Sequence, residues 1–405
     1  PFWLKLQLRA SIALVESNMA LPSGSEDASG VAVTESSARA LVKAFEEDDV
    51  GDRIRFLRSH AEVIAEKCNP EKNPGAYRRC QDAAQPALQP LLMLAQHAPT
   101  HDVRNLAFEA LTRVCFGNSE TAAAAAASGQ LESTILAALK PADEAIRQEE
   151  HLAALQFVQA LAAVVPEAPV LAQLLPKIAG FTAEGTAVYP TFRAVRVVAV
   201  EVLLSCSLTQ SCRRRVAKAL AEPLASALVA SGVSLAAGEV GKPAFSIGLL
   251  LANICNLPVS AGTAAASPEA PEDTPTLFKD LAGPVWEKSS FFQDLAPCLT
   301  AALRREPWPA EDGGYHKPWK LAGACAELST AGFVRELLGV ANPLIATVVR
   351  RVPSSGREEG IDMCSAEDAQ GARLATKALL GLAVESEALF AMREAGIGFT
   401  NALQA

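Results

Sequence analysis

The chain has 405 residues, half of them apolar and only 5% aromatic, and carries a formal net charge of −9. Alanine dominates the apolar set, which suits helices packed at close range. Affinity for phosphate or anionic lipid comes from clustered Lys and Arg, so this acidity argues against a general nucleic-acid partner and against peripheral membrane attachment.

The sequence begins at Pro1, and its first methionine is Met19. The opening PFWLK resembles the translated end of a spliced-leader RNA, which implies that residues 1–18 are leader read in frame and lie outside the fold. Ala20 to Thr34 is rich in Ser, Gly and acid without periodicity, so residues 1–35 are expected to form a disordered leader. Ser36 or Ser37 then caps a helix with Leu41, Val42 and Phe45 on one face, ended by Gly51. A second helix carries Ile54, Phe56, Leu57, His60, Val63 and Ile64, and a turn follows from Asn69 to Gly75. From Tyr77 helices succeed one another, punctuated by Pro or Gly: through Leu91 and Leu94, then Val103 to Phe116, Leu131 to Leu139, His151 to Val165 and Val170 to Ile178. Phe192 to Leu208, Val216 to Leu228 and Pro243 to Leu257 continue the series. Irregular inserts are expected near 258–276, 306–320 and 353–367, with helices over Leu321 to Ala331, Phe333 to Val349 and a final pair ending at Leu403.

A short line of small apolar residues recurs along this series: ALTRVC at Ala110, ALAAVV at Ala160, LLSCS at Leu203, LLANIC at Leu250, CAELS at Cys325 and ALLGLA at Ala378. Its fourth positions are Arg113, Ala163, Ser205, Asn253, Glu327 and Gly381, roughly 40 to 55 residues apart except for a wider step across two inserts. The pattern resembles armadillo/HEAT helical repeats. That resemblance implies an all-α fold, a right-handed α-solenoid from residue 36 to residue 405, in which each unit buries its apolar face on its neighbours. LLANIC is also similar to the ALSNLC line of importin-type armadillo proteins, where a repeated Asn bonds the main chain of an extended peptide. Asn253 matches that Asn, whereas the other fourth positions and Leu249, at the usual Trp site, do not. The same line, followed by a long insert, is similar to armadillo-type chaperones that fold myosin.

Catalytic patterns are sparse. Asp48, Asp49 and Asp52 form a DDxxD string of the kind that holds magnesium and a diphosphate in helical prenyl-transferring enzymes. No second acidic motif accompanies it, and Gly51 breaks it, so an acidic turn is the expected reading. His97 and His101 are separated by Pro99, which opposes a helical metal pair. The nine cysteines include no C-x-x-C and read as buried free thiols of a reducing compartment, the cytoplasm. Arg213, Arg214 and Arg215 read as a solvated helix face. Trp308, Tyr315 and Trp319 crowd one irregular stretch and are candidate partner anchors. The expectation is thus a non-enzymatic interaction scaffold without cofactor or metal. It would bind a protein or peptide along the concave face through Arg113, Ser205, Asn253 and Glu327, with Trp308, Tyr315 and Trp319 beside them.

Overall fold

The computed structural model describes residues 26–46, 53–140, 145–183, 190–220, 242–257, 282–283, 286, 290–304, 306, 316–349 and 366–394. Among these residues every regular element is helical and no strand occurs. The described residues divide into two compact units, one within residues 9–215 and one within residues 216–405.

The N-terminal unit starts with α1 (Glu26–Glu46) and α2 (Arg53–Lys67), which pack as a pair. Two three-helix groups follow: α3 (Tyr77–Ala84), α4 (Leu88–His97) and α5 (His101–Cys115), then α6 (Ser119–Ala126), α7 (Leu131–Ala138) and α8 (Ala145–Ala162). A last pair, α9 (Pro169–Ala183) and α10 (Pro190–Ser207), precedes α11 (Gln210–Ala219). Helices α2, α5, α8 and α10 lie side by side in one layer, and α1, α4, α7 and α9 in a second. Small residues permit this: Ala107, Ala110, Ala154 and Ala199 are buried between helices, with Phe108 and Phe157 filling the wider gaps at a ring separation of 6.4 Å.

The corner between α5 and α6 is closed by α3. Gln81 donates from Nε2 to the carbonyls of Arg113, at 2.7 Å, and Phe116, at 3.0 Å, which α5 leaves unpaired at its end. Asn118 caps α6 by accepting from the amides of Glu120 and Thr121, and its own Nδ2 donates to Asp82 at 2.9 Å. Across the same layer Arg104 holds Glu150 through two nitrogens, at 2.8 and 3.0 Å, and donates to the Ala98 carbonyl at 2.7 Å. The hydrogen bond to Glu150 raises the Arg104 pKa, burial acting against it.

The C-terminal unit repeats the layering. Helices α12 (Lys242–Ile254), α14 (Pro318–Thr330) and α16 (Ala366–Leu382) form one layer, and α13 (Phe291–Arg304), α15 (Ala341–Val349) and α17 (Ser386–Glu394) the other. Four of its aromatic residues cluster: Phe291 lies 5.4 Å from Phe245 and 6.2 Å from Trp286, and Trp286 lies 4.8 Å from Phe333, ring to ring.

Several sequence expectations need correction. The first helix begins at Glu26, not at a Ser36 or Ser37 cap, and burial of Thr34 and Ser37 within it outweighs the low helix propensity of Gly30, Val31 and Val33. The helix expected over Val216–Leu228 starts earlier, at Gln210, and is described only as far as Ala219. The 306–320 insert yields to helix at Pro318, a residue suited to a helix's first turn. The helix expected over Phe333 to Val349 starts later: turns follow Gly332, at φ 91°, a 3-10 helix spans Leu338–Val340, and α15 starts at Ala341. Helix α13 has no counterpart among the expected elements.

Candidate functional site

The fourth positions of the recurring line were expected on an exposed groove, and the structure corrects this for three of them. Arg113, Ser205 and Asn253 are buried, Asn253 to 2% exposure. Arg113 lies on α5, which α2 and α8 flank on both sides in its layer, so positions lateral to the core are covered there as well as those facing it. Arg113 shows the consequence for a charge: burial lowers its pKa, with Glu109, 4.0 Å away, and Glu71 acting in the opposite direction. Burial likewise raises the pKa of Glu109, against the pull of Arg113 and Lys72. Gly381 serves close approach, because a Cβ there would stand 2.6 Å from the Ser329 hydroxyl oxygen across the α14–α16 contact.

Glu327 remains at the surface of the C-terminal unit and ties three helices together. Asn256, in the turn after α12, donates from Nδ2 to the Glu327 carbonyl at 2.6 Å and to its Oε2 at 3.2 Å. Lys377 of α16 donates to Oε1 at 3.1 Å. The Glu327 side chain is 13% exposed and Lys377 52%, so the network opens from a sheltered carboxylate onto an exposed ammonium. Beyond Lys377, α16 presents Arg373 and Leu380 to solvent, and Val384 is exposed in the following turn. Leu380 and Val384 are 65% and 76% exposed, large values for aliphatic side chains in a packed unit. Asn256, Lys377, Arg373, Leu380 and Val384 were not singled out in the sequence. Their signal was present in α16, where Leu379 and Leu382 share the buried face and Leu380 falls on the other.

Trp319 sits in the first turn of α14 on α16: its Cβ is 3.5 Å from where a Gly371 Cβ would stand. It is therefore a helical packing residue, half-buried, and not part of an irregular insert. Trp308, Tyr315, Asp48, Asp49 and Asp52 lie outside the described residues. Among the described residues no group of three His, Cys, Asp or Glu side chains is arranged to hold a metal ion, and no helix is long and apolar enough to cross a membrane. Among the described residues, eight cysteines are buried free thiols. Burial pushes Cys115, Cys206 and Cys325 up to about 12, where thiolate chemistry is suppressed.

No family model and no curated protein matches the chain. A solved structure from a study of a phosphorylation switch controlling the interaction between cadherin and beta-catenin is similar over 96% of this chain and 82% of its own, at 13% identity and a TM-score of 0.29. The all-helical architecture rests on the helices described above.

Proposed function

We propose that this protein is an interaction scaffold that binds a protein partner and performs no chemistry of its own. In this reading each unit is a segment of a right-handed α-solenoid of armadillo/HEAT type. The serial two-layer packing and the three-helix groups α3–α4–α5 and α6–α7–α8, each two short helices followed by a long one, support it. The observation that carries the binding role is the α12–α14–α16 face, where the Asn256–Glu327–Lys377 network adjoins the exposed Leu380 and Val384. A sheltered polar network next to exposed aliphatic side chains is the usual make-up of an interface patch. The buried free thiols support work in a reducing compartment, the cytoplasm.

Affinity purification of the intact chain from its native lysate tests this. The comparison is with a Lys377→Glu, Leu380→Asp variant and with an Ala123→Asp, Glu149→Lys control at exposed positions of the N-terminal unit. The expected result is loss of a specific co-purifying protein in the first variant and its retention in the control. An identical set of proteins from all three would overturn the assignment of this face.

A further inference from the structure

Helix α16 has two faces. Ala372, Ala375, Ala378, Leu379 and Leu382 are buried in the unit, whereas Arg373, Lys377 and Leu380 are exposed. Successive 100° steps put those three within about 60° of one line along the helix, and Val384 continues the line past its end. The stripe is segregated: cations at its N-terminal end, aliphatics at its C-terminal end. Among the described residues, the exposed large apolar side chains are Val33, Phe56, Leu136, Leu380, Val384 and Phe390, so half of them fall between Leu380 and Phe390.

Of the two cations, only Lys377 is paired among the described residues of the unit. Arg373 makes no hydrogen bond or ion pair among the described residues. Lys377 gives one bond to Glu327 and keeps half its side chain in solvent. A ligand that covers Leu380 and Val384 must bring apolar side chains, and one that lies along the same line meets Arg373 and Lys377 about 5 to 10 Å further on. That spacing equals one to two turns of a second helix. We propose that the Arg373–Lys377–Leu380–Val384 stripe docks a short amphipathic helix of a partner protein, with carboxylates at one end and aliphatic or aromatic residues at the other. This deepens the scaffold reading and rests on it: the apolar end supplies contact area, and the charge order fixes the direction in which the helix lies.

The test uses the full chain and three fluorescent probe peptides of equal length. One is a helix with Glu at one end and Leu at i, i+4 and i+7 toward the other, one has each Glu replaced by Lys, and one carries a central Pro that breaks the helix. Fluorescence anisotropy is expected to show binding of the acidic helix alone, weakened by added salt. An Arg373→Glu, Lys377→Glu variant should lose about tenfold or more in affinity for it and gain affinity for the Lys peptide. Leu380→Asp should weaken the acidic helix, and its circular dichroism melt should match the parent because Leu380 is exposed. Equal binding of all three peptides, or affinities unchanged in the variants, would overturn the proposal. So would a dimer of the full chain in sedimentation that Leu380→Asp dissociates, because the occupant would then be a second copy. Failure of the acidic helix while capture of the native partner still depends on Leu380 refutes the partner chemistry and leaves the scaffold reading standing. Capture independent of the whole face refutes both.

Discussion

Gly248 lies in α12 where the buried ring of Phe291 presses against the backbone. A Cβ added there would meet the ring atoms at 2.4 to 3.0 Å. Gly248→Ala is expected to cost about 1–3 kcal/mol, because an overpacked core must shift a ring that also contacts Phe245 and Trp286. Denaturant unfolding measures this, and a Gly248→Ala, Phe291→Leu double variant should lose less than the sum of the two single changes. Glu109 permits a second test. Its pKa is raised in the folded state, chiefly by burial, so its favourable contribution is complete below the unperturbed value of 4.5 and is lost as pH rises through the raised one. Thermal melts should therefore shift in favour of Glu109→Gln over the parent as pH climbs above 4.5, and a difference constant across that range would contradict the assignment. At this scale the sequence was a poor guide. Arg113, Ser205 and Asn253 read as surface residues because they are polar, yet side-by-side packing covers them, and nothing local distinguishes a flanked helix from an open one.

Helix boundaries are set by features that span elements. The α5–α6 corner depends on Gln81, more than thirty residues before the carbonyl groups it satisfies. Gln81→Ala leaves the Arg113 and Phe116 carbonyls without that donor and is expected to destabilise the N-terminal unit by about 1–3 kcal/mol. Hydrogen exchange should show faster opening at α6 than at α9, and uniform change would argue against a local clasp. The thiols report on packing across elements as well. A thiol reagent at neutral pH should leave Cys68, Cys80, Cys115, Cys206, Cys212, Cys255, Cys298 and Cys325 unmodified in the native protein and modify them in denaturant. Rapid native labelling of any of these would show that its helix is not packed as described. The succession of helices was largely legible, since periodic apolar positions and Pro or Gly stops are local signals. Helix α13 was not anticipated, because FFQDLAPCLTAALR carries Pro297 within it and so mimics a break.

At the level of the whole molecule, the recurring small-apolar line marks where layer helices meet, and the side chains available to a partner lie off that line. Only Glu327, of the fourth positions singled out as polar contacts, stays at the surface, and it does so through Asn256 and Lys377, which the sequence separates from it by 71 and 50 residues. The site was legible in that one residue; the remainder is assembled by the packing of α12, α14 and α16, which no local pattern encodes. The most direct measurement of the central claim is site-specific photo-crosslinking in the native lysate, with a benzophenone side chain placed at Leu380 and, separately, at the exposed Ala123 of the N-terminal unit. Discrete protein adducts from position 380, absent when Lys377→Glu is added and absent from position 123, are the expected result. No adduct at 380, or the same adducts from both positions, would contradict a partner-binding face on α16.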